Sequence, residues 1–363
     1  MDKKLRALAV YLPQFHPIPE NDQWWGKGFT EWTNVVKGKK IIKGQYQPHI
    51  PADLGFYDLR LPEIREQQAK MAQENGIHGF CYYHYWFNGK RVLERPLNEV
   101  LESGKPDFPF CLCWANEDWS RNWDGRSKDI LLKQDYSDDD DRNHIRYLCE
   151  NVFNDSRYIT VDGKPVFMIY RPSLFPDMRK TIEVWREEVL KYGFKGIYLG
   201  FFWSFEYGVN PDKYGFDFAS LFPSNLLPVH RSDTYLGHLM RKAGIKLTVK
   251  QKYLVYDYKK IANYCKQMEY PSDYTLYPSI FPMWDNYVRR RNGGGKIVIN
   301  STPELYEDWL STVCEKWNPP TKEENFIFLN AWNEWAEGNH LEPCQKWGSK
   351  YLEATKRALR KFI

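Results

Sequence analysis

Eight short apolar runs recur along this chain, each ending in polar or aromatic residues. They fall at residues 5–15, 79–87, 108–117, 165–171, 196–202, 216–222, 277–285 and 326–332. Unbroken apolar character is expected of strands covered on both faces, as in a parallel sheet flanked by helices. Helical patterns lie between many of the runs. Residues 63–75 follow Pro62, which suits a first helical turn, and stop before Gly76. An aspartate precedes 141–153 as a candidate cap, and 181–192 sets Ile182, Trp185 and Val189 on one face. Thr302 and Pro303 open a helix carrying Leu305, Trp309 and Val313 inward; residues 349–363 offer Leu352, Leu359 and Phe362 to a core. Alternating strands and helices imply right-handed crossovers and a parallel sheet. Eight units predict one (β/α)8 TIM barrel spanning residues 1–363, with long βα loops at 17–59 and 223–253.

The 51 Lys plus Arg nearly balance the 47 Asp plus Glu, so nothing points to nucleic acid or an anionic membrane as partner. No stretch approaches a membrane span. The first apolar run contains Pro13 and no small-residue cleavage site follows, so it reads as a strand, not a signal peptide. The seven cysteines are odd in number and several lie in strand-like runs. They read as buried free thiols in a reducing compartment, and a cytoplasmic location is expected. Aromatic residues reach 17%, with 15 Trp, and large rings with polar handles suit saccharide sites. The partner expected is therefore an oligosaccharide or polysaccharide.

In a barrel the C-terminal ends of all strands meet at one mouth. Here those ends carry Gln14 and His16; Tyr82, Tyr83, His84, Tyr85 and Trp86; Trp114, Asn116, Glu117 and Asp118; and Tyr170 and Arg171. The later ends carry Trp203 and Glu206; Trp284, Asp285 and Asn286; and Trp332, Asn333, Glu334, Trp335 and Glu337. Glu334 and Glu337 are three residues apart, a spacing that lets both face one side of a turn. Glycoside cleavage needs two carboxyls with different jobs, one protonated and one ionised. Trp332 and Trp335 are expected to wall the pair and raise one pKa by desolvation. Glu342 follows closely as a candidate hydroxyl ligand, and Asn116-Glu117-Asp118-Trp119 with Trp123-Asp124-Gly125 as a second recognition cluster of polar groups over stacking rings. The run Asp138 to Asp141 precedes a helix and reads as capping charge, not a metal motif; no metal or other cofactor is expected. The glycines at 293–295 read as a turn, and the basic stretch 241–252 as a solvated face of the sixth loop.

Several segments resemble the WbsX-type proteins of bacterial polysaccharide loci, which are labelled glycosyltransferases or glycoside-hydrolase-family-99-like proteins. They are Tyr11-Leu12-Pro13-Gln14-Phe15-His16-Pro17, Trp24 to Trp32, Tyr82 to Phe87, Trp114 to Glu117, and Asn330 to Gly338. The more distant family 99 hydrolases are retaining endo-α-mannosidases and mannanases on (β/α)8 barrels, and they need no cofactor. That resemblance implies that Glu334 deprotonates the sugar 2-hydroxyl, giving a 1,2-anhydro sugar, and that Glu337 is the general acid and then the base. Ala336 departs from the hydrolases, which have His there. The candidate catalytic residues are thus Glu334 and Glu337. The candidate substrate contacts are His16, Trp32, Tyr83, His84, Trp86, Trp114, Asn116, Glu117, Trp284, Asp285, Trp332, Asn333, Trp335 and Glu342. Two alternatives stay open: a nucleotide-sugar-dependent glycosyltransferase in O-antigen or capsule synthesis, and a non-catalytic glycan-binding barrel.

Overall fold

The computed structural model describes residues 3–121, 126–222, 243, 253–290 and 294–363. Its central sheet runs through β1 (Arg6–Tyr11), β2 (Gly79–His84), β3 (Phe110–Trp114), β4 (Lys164–Ile169) and β5 (Tyr198–Phe202). It continues with β6 (Phe218–Ser220), β7 (Thr275–Tyr277), β8 (Ser279–Ile280) and β9 (Phe326–Leu329). The spatial order is β7-β6-β5-β4-β3-β2-β1-β9-β8, and every pairing along it is parallel. β7 and β8 are two halves of one barrel position, separated by Pro278. One half bonds to β6 and the other to β9, so the nine segments form a nearly closed parallel barrel of TIM type.

The apolar runs become these strands because both faces are covered. Every residue of β2, β3 and β5 is buried. At Gly200 the ring of Phe218 on the neighbouring strand fills the place of a side chain, so only glycine allows that approach. All seven cysteines are free and buried. No helix among the described residues is long and apolar enough to cross a membrane.

A short helix α1 (Pro19–Trp25) lies in the long loop after β1. The outer helices are α2 (Pro62–Glu74), α3 (Arg95–Ser103), α4 (Asp138–Asn151), α5 (Met178–Lys191), α6 (Tyr258–Gln267), α7 (Pro303–Lys316) and α8 (Lys350–Leu359). Thr302 caps α7 by accepting from Leu305 N, as its sequence predicts. The cap of α4 differs from expectation. The helix starts earlier, and Ser137 accepts from Asp140 N. Asp140 and Asp141 are left to accept from Trp86 Nε1 and Thr181 Oγ1. The sequence patterns also gave no sign of α3 or α6. Between β5 and β6 stands only a 3-10 turn, Pro211–Lys213. Residues 223–242 and 244–252 of the sixth loop, which include most of the basic stretch, lie outside the described residues, as do 122–125.

Candidate active site

The acidic segment after β9 is built as a tight hairpin. Asn333–Glu334 pairs antiparallel with Asn339–His340 around a 3-10 turn, Trp335–Glu337. Gly338 closes the turn at φ +55, where an added Cβ would come within 2.9 Å of His49 Nε2 and 3.0 Å of Asp285 Cβ. Glycine is needed there for both its backbone angle and its lack of bulk. Asn333 ties the hairpin to the end of β1: its Oδ1 accepts from Leu12 N at 2.7 Å and its Nδ2 donates to Leu12 O at 3.0 Å. Asp285 N donates to Glu337 O at 2.6 Å and fixes the far end of the turn.

This scaffold turns Glu334 and Glu337 into one cavity of about 300 Å³ at the C-terminal end of the barrel. Its walls include Trp24, Trp25, Tyr83, Tyr85, Trp119 and Tyr170, with Phe205 at the edge. Such a mixture of ring faces and polar tips fits a sugar, which offers C–H faces and hydroxyls together. Glu117 also lines it and accepts from Arg171 Nη1 at 2.6 Å, while that guanidinium stacks 3.8 Å over the Phe205 ring.

Arg289 joins the two glutamates. Its Nη2 lies 3.0 Å from Glu334 Oε2 and its Nη1 lies 3.0 Å from Glu337 Oε1. A third carboxylate, Glu31 Oε2, sits 3.0 Å from the same Nη2. Burial pushes the Glu334 carboxyl up to about 8; Arg289 opposes the rise, and the charges of Glu337 and Glu31 add to it. Glu31 is also raised, chiefly by burial. One cation among three carboxylates leaves excess negative charge, and retaining a proton relieves it.

Of the candidates from sequence, the structure brings Tyr83, Glu117, Glu334 and Glu337 to this cavity. The other candidates go elsewhere. Trp332 and Trp335, expected to wall the carboxyls, are buried in the core: Trp332 packs on Phe80, and Trp335 stacks 3.7 Å from His340. Asn333 is fully buried in its bonds to Leu12. Glu342 is buried too, accepting from Tyr57 Oη at 2.9 Å, Gln68 Nε2 at 2.6 Å and Trp335 Nε1 at 2.6 Å. Trp32 packs on Phe15 and donates to Tyr57 O.

His84 shares a 2.9 Å hydrogen bond with His144. Trp86 stacks on that same ring, and Trp114 meets it edge-on. Asn116 bridges to the backbone of Arg171 through both side-chain atoms, tying the ends of β3 and β4. His16 is buried, which lowers its pKa to about 4 and keeps it neutral. Trp284 and Asp285 line a separate hollow of about 290 Å³ behind the acidic turn. Burial raises Asp285 to about 7, against bonds from Gln45 and Tyr287.

Trp119, from the second recognition cluster, also lines the cavity, as do Arg289, Trp24 and Trp25, none of which was singled out from sequence as a site residue. The paired tryptophans before Gly26 gave a usable signal, since two large rings side by side in a long βα loop, outside any strand, suit a loop-built site; both are half-buried here.

A TIM-type barrel with an arginine-clamped pair of glutamates in an aromatic cavity at its strand C-termini defines the structural class. The chain belongs to the WbsX glycosyltransferase family, whose model matches residues 7–355. It is 42% identical over 360 residues to the uncharacterized protein WxcX of Xanthomonas campestris pv. campestris strain B100. That match covers 97% of this chain and 49% of the relative, so the chain spans about half the length of the curated relatives it matches. Among solved structures it resembles a glycoside hydrolase-like protein, with a TM-score of 0.62, 14% identity, and 98% and 94% of the two chains covered. It also resembles the GH99 endo-alpha-mannosidase from Bacteroides thetaiotaomicron, with a TM-score of 0.57, 14% identity, and 98% and 97% covered. At these identities the likeness is one of fold.

Proposed function

We propose that this chain cleaves or transfers a glycosidic bond of a bacterial glycan by retaining chemistry, with Glu334 and Glu337 as the working carboxyls. The observation that carries the reading is the shared clamp: two glutamates in an aromatic-walled cavity, each 3.0 Å from Arg289. The raised proton affinity of Glu334 means that the pair holds one proton near neutrality, which supplies both an acid and a base.

In the mechanism implied by family resemblance, Glu334 takes the 2-hydroxyl proton as that oxygen attacks the anomeric carbon. Glu337 gives its proton to the leaving oxygen as the glycosidic bond breaks. Water or a second sugar then opens the 1,2-anhydro ring, losing its proton to Glu337, while Glu334 returns its proton to the 2-oxygen. In the resting site the proton favours Glu334, so this assignment requires it to pass to Glu337 as the sugar binds. A screen of bacterial polysaccharides and oligosaccharides tests the proposal. Glu337→Gln is expected to abolish product from substrates whose leaving group needs protonation, with the fold intact. Normal turnover by that variant removes Glu337 from the acid role.

A second reading, transfer from a nucleotide-activated sugar, is favoured by the description of the family. Calorimetry with a panel of nucleotide sugars separates the two. Saturable binding of one donor, and none of free oligosaccharides, supports the transferase.

A further inference from the structure

The cavity exposes two of the three carboxylates around Arg289, and the third is hidden. Glu31 comes from the long loop after β1, and its side chain has 0% exposure. It does not line the cavity, so it is not placed to touch a bound sugar. Its Oε2 meets the same Arg289 nitrogen that holds Glu334, and its Oε1 is buried with no hydrogen-bond partner. Burying a carboxylate and leaving half of it unpaired is costly, so a purely structural cap for Arg289 is a poor explanation.

We infer that Glu31 is a positioning residue: by sharing Arg289, it sets how many protons the Glu334–Glu337 pair retains at neutral pH. The inference rests on reading that pair as the working carboxyls. One guanidinium balances one carboxylate, so the cluster carries two surplus negative charges when all three are ionised. Glu31 acts on Glu334 in two ways. It competes for Nη2, and it adds its own charge nearby.

Both oxygens lie 3.0 Å from one nitrogen, so they are at most about 6 Å apart. Two charges at that range, at an effective dielectric constant of about 20, shift a titration by roughly two pH units. Arg289 between them trims this toward one. The other groups facing the pair do not replace Glu31: Glu117 is paired with Arg171, and Arg290 on the cavity wall is a cation. Burial holds the phenols of Tyr83, Tyr85 and Tyr170 in their neutral form. Lys296 is a cation near Glu337, and its own pKa is lowered to about 8 by burial.

The test is a titration of Glu side-chain carboxyls by 13C NMR in wild type and Glu31→Gln, with signals assigned by their loss in E334Q and E337Q. Wild type is expected to keep one cluster carboxyl protonated at pH 7. In Glu31→Gln that midpoint should fall by about one to two units. The alkaline limb of any activity profile should move down equally, while kcat at the new optimum is kept. A folded Glu31→Gln variant with an unchanged midpoint overturns the inference. If that variant fails to fold, Glu31→Asp, which draws the carboxylate back from Nη2, decides: a lower midpoint supports the inference and an unchanged one overturns it. The titration needs no substrate. Failure to find any glycan turnover would therefore sink the proposed reaction and leave this result standing.

Discussion

Replacing Glu334 with glutamine should make the protein less sensitive to alkali even as it removes a working carboxyl. The folded carboxyl titrates at about 8 against an ordinary value of 4.5, so it binds its proton more tightly folded than unfolded. Its contribution to stability is complete below pH 4.5 and is lost as the pH rises through 8. At about 1.4 kcal/mol per unit, the full span is worth about 5 kcal/mol, and roughly half of it is lost between pH 6 and pH 9. Glutamine has no proton to lose. Arg289 keeps Glu31 and Glu337 in the variant, so the cluster charge is better balanced than before. Urea unfolding followed by circular dichroism at pH 6 and pH 9 measures the effect. Wild type should lose about 2–3 kcal/mol more than Glu334→Gln over that interval. Equal losses in the two proteins would refute the claim that burial and neighbouring carboxylates hold a proton on Glu334.

Other perturbations test the scaffold around the pair. Gly338→Ala forces a side chain into the left-handed region and against His49 and Asp285; thermal unfolding should show a loss of about 2–4 kcal/mol, with reduced turnover because Glu337 shifts. Glu342→Ala strands three donors, Tyr57, Gln68 and Trp335; chemical denaturation should register at least about 3 kcal/mol. Trp119→Ala removes a cavity ring that packs 5.2 Å from Tyr85; KM on an active glycan should rise about five- to tenfold, the equivalent of about 1–1.4 kcal/mol, with kcat less affected.

The barrel was legible because a strand buried on both faces must be apolar throughout, and eight runs of that kind leave few architectures. β2 and β3 fall within the runs at 79–87 and 108–117. The converging strand ends were legible for the same reason. What sequence did not show is direction. In the segment 332–337 the two glutamates turn into the cavity, while Trp332, Asn333 and Trp335 turn into the core. A run of consecutive residues at a strand end carries no mark of which side chains face the mouth, because the local turn decides it. Arg289 was missed for a different reason. Its role exists only relative to carboxylates from two remote segments, Glu31 and the 334–337 turn. α3 escaped although Pro96 and Gly104 mark its start and stop, because it is only nine residues long with three buried positions, Pro96, Leu97 and Val100.

The most direct measurement follows the anomeric proton by NMR as wild type, Glu334→Gln and Glu337→Gln act on an oligosaccharide found in the glycan screen. The first product of wild type should keep the anomeric configuration of the substrate, and both folded variants should give little or none. An inverted first product would contradict retaining chemistry, and unimpaired turnover by either variant would contradict the role given to the clamped pair.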